Sequence, residues 1–333
     1  MTIGLTICLF VLGIILLKKG ADWLVAGAVD IGNCLKIQPI YIGLTVVAFG
    51  TSLPELFVSV FAILTDRPGI SIGNIIGSNI ANIGLIIGIT ALASPMAVKR
   101  RTIAYEFPMM IILSFLVVIL GNKNYLFGEN RFYFGKVDGS VFILIFCIFL
   151  FYLYKSVKSG KDLFEMEQEI EWVRGSTKSL WKNSALIVLG CAMLFVGGRT
   201  IVESGIEIAR LFGISEVVIG LTIVSVGTSL PELATTLAAA RKDHADLAIG
   251  NIIGSNIFNI AWVLGLVSLI KDIHVSAKVI YFDSVVMVLF TLVFFLFAAK
   301  SKRITRGHGA VFLAGYLLYI GFLVAAACGN HAL

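Results

Sequence analysis

The sequence predicts an all-α polytopic membrane protein, ten transmembrane helices arranged as two inverted five-helix repeats. Three observations carry that prediction. Apolar runs of about 18 or more residues, long enough to cross a bilayer as a helix, recur along the 333-residue chain. Hydrophobic residues make up 58% and charged residues only 14%, with a mean hydropathy of +0.97. Ordinary soluble domains, in which about a quarter of residues are charged, are thereby excluded. The third observation is an internal duplication. IGLTVVAFGTSLPEL from Ile42 returns as IGLTIVSVGTSLPEL from Ile219, and GNIIGSNIANIGLIIG from Gly73 returns as GNIIGSNIFNIAWVLG from Gly250. Both copies are offset by 177 residues, with 11 of 14 positions identical between 42–55 and 219–232 and 11 of 16 between 73–88 and 250–265. The alternation expected of membrane-barrel strands is absent.

The apolar segments are 3–30, 38–64, 71–96, 103–120, 139–154, 183–209, 216–240, 247–269, 279–298 and 309–328. The first begins MTIGLTICLF, without a basic leader or a cleavage pattern, and reads as a membrane segment. It ends in a polar-flecked stretch with Lys18, Lys19, Asp22 and Asp30, as the sixth does with Arg199, Glu203 and Glu207. Each is either a span followed by an interfacial turn or one long tilted helix. The second and seventh segments hold GTSLPEL, and the third and eighth hold GNIIGSNI. The fourth, fifth, ninth and tenth are apolar runs with little polar content.

Five spans per copy is an odd number, so the second copy enters the membrane with opposite polarity. Inverted repeats of this kind characterise secondary transporters, with the binding site where the repeats meet. The domains are then 1–154, a cytoplasmic linker over 155–182, and 183–333. The linker carries Lys155, Lys158 and Lys161, then Asp162, Glu165, Glu167, Glu169 and Glu171. It reads as a solvated connector, or else as a short amphipathic regulatory helix. With the N-terminus outside, 18 of the 26 Lys and Arg fall in cytoplasmic connectors, so the positive-inside rule puts both termini outside the cell membrane. The net charge of +6 is spread over short connectors and gives no nucleic-acid stripe. Cys8, Cys34, Cys147, Cys191 and Cys328 have no metal-ligand spacing and read as buried free thiols.

The repeats carry the chemistry. Pro54 and Pro231 sit inside apolar segments, where proline removes a backbone donor and displaces the carbonyl four residues earlier. The helix should open there, beside Thr51, Ser52, Thr228 and Ser229, and non-helical backbone at membrane depth survives only against protein or a water-lined cavity. Glu55 and Glu232 add one carboxylate each, at a cost of about 3 kcal/mol per mid-span charge that points to function. Hydroxyl, carbonyl and carboxylate oxygens together suit a hard cation such as calcium, which takes about six to eight oxygens. Gly73/Gly77 and Gly250/Gly254 allow close helix approach. Ser78 and Asn82, like Ser255 and Asn259, are four residues apart and share a helix face. Asn79 and Asn256 point elsewhere and suit helix-to-helix bonding. Two carboxylates give the site a charge of −2, which one calcium ion neutralises. Emptied, they repel, so sodium or a proton must compensate. Glu106 and Asp283, also 177 apart, read either as charges at helix starts or as part of an ion vestibule. His244, His274, His308 and His331 lie in connectors or the tail, so no zinc site or buried base is expected.

At GTSLPEL and GNIIGSNI, twice over, the chain resembles the calcium/cation antiporter superfamily, and within it the prokaryotic sodium/calcium exchanger-like members. The resemblance covers both halves. It implies that the second, third, seventh and eighth spans surround the ions, with Glu55 and Glu232 ligating metal. Thr51, Ser52, Ser78 and Asn82 would help, together with Thr228, Ser229, Ser255 and Asn259. The backbone carbonyls of Ala48 and Ser225 would line sodium positions, and the first and sixth helices would slide across this core. The chain departs from the pattern at Asn259, where sodium/calcium exchangers carry Asp. If that Asp acts in its neutral form, Asn is a fair stand-in; if it must ionise, the counter-ion or stoichiometry changes.

The function expected is calcium-for-sodium antiport by alternating access, with no enzymatic activity, no cofactor and a working monomer. A proton-coupled divalent-cation antiporter is the alternative, and a passive cation channel a remote one. An intramembrane hydrolase is a remote reading, because no His lies mid-span to activate Ser52 or Ser229.

Overall fold

The computed structural model describes residues 3–123, 131–158, 180–211 and 225–329. Most of the linker between residues 155 and 182, and the start of the seventh segment, lie outside the described residues.

Among the described residues, eight helices are long and apolar enough to cross a membrane, and a bent pair makes a ninth span. They are α1 (Ile3–Leu35), the bent pair α2 (Pro39–Thr51) and α3 (Leu53–Leu64), and then α4 (Pro68–Ala93), α5 (Arg100–Gly121) and α6 (Lys136–Lys158). The second half follows with α7 (Leu180–Leu211), a short turn Ser225–Gly227, α8 (Leu230–Arg241), α9 (Ala245–Ile270), α10 (Val279–Ser301) and α11 (Arg306–Gly329). The protein is therefore mostly helical and multi-pass.

Local sequence explains the boundaries. Pro39, Pro54, Pro68 and Pro231 each stand in the first turn of a helix, where a missing N–H costs nothing. Asp66 and Asp243, 177 apart, follow α3 and α8 with φ of 59° and 61°, left-handed turns that Asp tolerates better than most residues. The polar-flecked ends of the first and sixth segments are not separate interfacial turns. α1 runs unbroken for 33 residues and α7 for 32.

α4 and α9 form the centre, with 78% and 83% of their apolar windows buried against 17–33% for the other single spans. Their middles widen into π-helical segments, Asn82–Ile87 and Phe258–Leu264, at matching places in the two repeats. Such wide turns inside α-helices are frequent at functional sites. α2 packs on α9 at backbone distance: a Cβ at Gly250 would lie 2.7 Å from the Ile40 carbonyl, and one at Gly254 2.7 Å from the Ala48 Cβ. α1 and α7 run antiparallel through facing glycines. A Cβ at Gly20 would meet the Gly190 carbonyl at 2.9 Å, and one at Gly190 the Gly20 carbonyl at 2.8 Å.

Two short antiparallel ribbons were not expected from the sequence. β1 (Met96–Ala97) pairs with β4 (Arg303–Ile304), and β2 (Tyr133–Phe134) with β3 (Ile273–His274). Each joins the two halves. β1 and β2 lie at opposite ends of α5, so the ribbons sit at opposite ends of the helical body. Lys99–Asp246 (2.9 Å) ties the α4–α5 connector to the start of α9, Lys242–Asp22 ties the α8–α9 connector to α1, and Lys271–Asp66 (2.8 Å) joins two connectors near the second ribbon. The outer surface carries many large apolar side chains, among them Phe57, Phe61, Phe151 and Leu318, as a lipid-facing surface should. The cysteine expectation is corrected here. Cys8, Cys34 and Cys147 are exposed, and Cys191 is half-buried. A small apolar thiol is as stable against lipid as in a core. Cys328 lies outside the residues whose side chains are described.

Candidate ion-binding site

The second span breaks at Ser52 (φ −86°, ψ 5°), and Ser229 has nearly the same angles (−88°, 5°). Both serines immediately precede a helix whose first turn contains the Pro and the Glu of the motif. The bend between α2 and α3 is 45°, as expected when proline cannot continue the ladder. These breaks turn Thr51, Ser52, Ser229 and the two glutamates inward. Thr51, Ser52, Glu55, Ser229 and Glu232 are all essentially inaccessible.

The contacts cross between the repeats. Ser52 Oγ donates to Glu232 Oε1 at 3.0 Å, and Ser229 Oγ to Glu55 Oε1 at 3.5 Å. Ser78 Oγ also donates to Glu55 Oε1, at 3.4 Å, and lies 3.4 Å from Ser229 Oγ. Around this centre, Thr51 Oγ1 donates to Asn251 Oδ1 (3.3 Å) and Thr228 Oγ1 to Asn74 Oδ1 (3.4 Å). The two amides are held in turn, Asn251 by donating to Thr236 Oγ1 (2.9 Å) and Asn74 by donating to Ser59 Oγ (3.0 Å) and the Glu55 carbonyl (3.1 Å). Ser59 and Thr236, which hold these amides, are residues of the candidate site that sequence reasoning missed. Their spacing, again 177, with a hydroxyl in both copies, was the available signal.

The remaining expected residues divide. Asn82 Nδ2 donates to Asn256 Oδ1 at 3.2 Å, and Asn256 Nδ2 faces Met110 Sδ at 3.5 Å, so Asn256 does link helices. Asn79 instead donates to its own helix, at the Ile75 carbonyl. The Ala48 carbonyl already accepts from Ser52 N (3.0 Å) and weakly from Thr51 Oγ1 (3.4 Å). Ser225 opens the Ser225–Gly227 turn, and its side chain is outside the described set. Ser255 and Asn259 are buried but hydrogen-bonded to no described residue.

Buried polar atoms without partners cost roughly 1–3 kcal/mol each. Among the described residues they include Glu55 Oε2, Glu232 Oε2, Asn82 Oδ1, Ser255 Oγ and both amide atoms of Asn259. Five of these six are oxygens, on motif residues of the two repeats. Hard-cation chemistry uses such oxygens. No cluster of three or more His, Cys, Asp or Glu exists among the described residues, so a bound cation would rest on two carboxylates plus neutral oxygens.

Known proteins resemble this chain in sequence and in overall fold. The family described as "Sodium/calcium exchanger protein" matches residues 5–155 and 182–325. The chain belongs to the sodium/calcium exchanger family. Among individual members of this family, the chain is 40% identical over 315 residues to "Putative antiporter CaxA" of Alkalimonas amylolytica, covering 93% of this chain and 96% of that one. It is 33% identical over 341 residues to "Sodium/calcium exchanger MaX1" of Methanosarcina acetivorans, covering 95% and 97%. A solved structure of the sodium-calcium exchanger NCX_Mj superposes with a TM-score of 0.80 at 34% identity, covering 97% of this chain and all of the other. An exchanger of this family is a transporter of cations, calcium among them.

Proposed function

We propose that this exchanger moves calcium against sodium by alternating access, with both ions binding between Glu55 and Glu232. The crossed serine–glutamate pairs carry the reading. Each carboxylate takes a hydroxyl from the opposite repeat, so sliding of the first and sixth helices, α1 and α7, across this core opens the shared oxygen set to one side or the other. Thr51, Ser52, Ser78 and Asn82, with Thr228, Ser229, Ser255 and Asn259, supply neutral oxygens, and the Ala48 and Ser225 carbonyls face sodium. One calcium cancels the two negative charges, and an emptied pair needs sodium before α1 and α7 can slide, since bare carboxylates repel in a low-dielectric site. That requirement couples the two fluxes.

The architecture proposed is ten spans in two inverted repeats, 1–154 and 183–333, joined by 155–182. Support comes from matched elements that fall at opposite ends of the body, β1 with β3 by the 177-residue offset. Equivalent residues also meet: Ser114 Oγ lies 3.4 Å from Thr291 Oγ1, as residues on a pseudo-twofold axis would. Both termini are assigned outside the cell membrane and the protein works as a monomer. Asn259, where an acid would add a third charge, keeps the site at −2 and so suits one calcium.

The test is calcium flux in proteoliposomes of purified protein under separately imposed sodium and proton gradients. Uptake driven by sodium supports the reading. Uptake driven only by protons replaces it with proton-coupled exchange, and flux that needs no counter-ion replaces it with a channel.

A further inference from the structure

Glu106 and Asp283 are acidic residues at matching positions near the starts of α5 and α10, away from the Glu55–Glu232 pair. Each accepts a hydrogen bond from a tyrosine on the last helix of its half, Glu106 from Tyr152 at 2.9 Å and Asp283 from Tyr319 at 2.9 Å. Five residues upstream of each stands a cation, Arg101 or Lys278, again 177 apart. The two triads therefore have the same kinds of group, an acid, a tyrosine and a cation, and because β1 precedes α5 while β3 precedes α10, they occupy opposite ends of the body.

They differ in state. Glu106 is buried (1% exposed), Arg101 reaches the Tyr152 hydroxyl, and the Arg101 guanidinium lies 5.3 Å from the centre of the Tyr41 ring. A guanidinium packed on a ring and reaching the hydroxyl that bonds Glu106 puts positive charge beside that acid and disfavours a cation there. At the other end Lys278 is exposed and Asp283 only partly buried. Asp283 and Tyr319 line a cavity of about 460 Å³ that continues past Asn74 to Ser78 and Thr228. Ser78 donates to Glu55, so the cavity joins Asp283 to the proposed ion site.

We propose that the two triads are paired cation gates: Asp283 receives a hydrated cation on its way to Glu55, while Arg101 holds the Glu106 gate shut, and the roles exchange when α1 and α7 slide across the core. This rests on the exchanger reading. A carboxylate at the mouth of a low-dielectric cavity concentrates cations and raises their rate of arrival. It touches the ion only in transit, so its loss should act on apparent affinity and leave turnover at saturation intact.

The experiment uses the whole protein in proteoliposomes. Asp283→Asn should raise the half-saturating calcium concentration on the β2–β3 face roughly tenfold, at the low end of what focused fields supply. Maximal rate should stay unchanged, and the difference from wild type should shrink as inert salt rises, because salt screens exposed charge. Tyr319→Phe, which keeps the carboxylate but removes the hydroxyl that orients it, should raise half-saturation by less than Asp283→Asn does. In a background with the native cysteines replaced, D283C should react with a cationic thiol reagent and be slowed by calcium, while E106C is protected. Wild-type calcium dependence in D283N would overturn the proposal. So would equal, salt-independent damage by D283N and Y319F, or labelling of E106C with D283C inert. If wild-type protein itself shows no gradient-driven calcium flux, the exchanger reading fails; if it does and D283N is unchanged, only the gates fail.

Discussion

Ser52→Ala separates a working ion site from a merely polar core. Ser52 Oγ donates to Glu232 Oε1 at 3.0 Å in a fully buried setting. Hydrogen bonds to charged groups contribute about 1.5–3 kcal/mol, and about 1.4 kcal/mol is a factor of ten. Loss of that donor should therefore weaken calcium half-saturation by roughly ten- to a hundredfold. The mirror bond, Ser229 to Glu55, is 3.5 Å, and Glu55 keeps a second donor in Ser78. Ser229→Ala should consequently cost only about 0.5–1.5 kcal/mol, the range of an ordinary hydrogen bond, or roughly two- to tenfold. Initial rates of radiolabelled calcium uptake against calcium concentration give both values. Wild-type half-saturation in S52A, or greater damage from S229A than from S52A, would refute the assignment of Ser52 as the positioning donor of Glu232.

Other outcomes follow from the same geometry. Glu55→Gln or Glu232→Gln should abolish exchange without lowering the thermal unfolding temperature, since each removes a buried charge; wild-type flux in either would remove it from the site. Asn259→Ala should weaken calcium binding, measured by titration calorimetry, yet leave the unfolding temperature within a degree or two, because the amide bonds no described residue. Asn251→Ala should instead destabilise by about 1–3 kcal/mol, having lost bonds to Thr51 and Thr236. Gly190→Val should force α1 from α7 and lower the unfolding temperature, because its Cβ would meet backbone at 2.8 Å. His244, in the turn between α8 and α9, has its pKa lowered by burial and by Lys242. Its neutral form is the favoured one in the fold, so its stabilising contribution is present above the ordinary histidine range and is lost as pH falls through the depressed value. His244→Gln should flatten that acid limb in a melting series.

The repeat and its charged centre were legible because duplication preserves spacing. An offset that holds from Gly50 to Asn82 needs no structural knowledge, and a glutamate beside a mid-span proline has few bland readings. The crossing of partners was not legible. Nothing in GTSLPEL says that Ser52 reaches the other copy's glutamate and not its own, since that depends on how two bent helices pack. The roles of Ser59 and Thr236 were hidden for the same reason: they touch the site only through Asn74 and Asn251. The ribbons escaped notice because two-residue strands carry no periodicity. The polar flecks in α1 left open a turn or one long helix; Asp22 is met by Lys242 from the α8–α9 connector, and a long helix tolerates charge where tertiary partners or the interface receive it. The thiols were expected inside by the logic of soluble cores, whereas here the outer surface is also apolar.

Competition between calcium and sodium at one site tests the account most directly. Calcium binding to purified protein should be measured by calorimetry at rising sodium, with inert cation holding ionic strength constant. Sodium should raise the apparent calcium dissociation constant without changing the number of calcium ions bound, and E232Q should abolish the calcium heat altogether. Calcium affinity indifferent to sodium, or undiminished binding in E232Q, would contradict a shared site between Glu55 and Glu232.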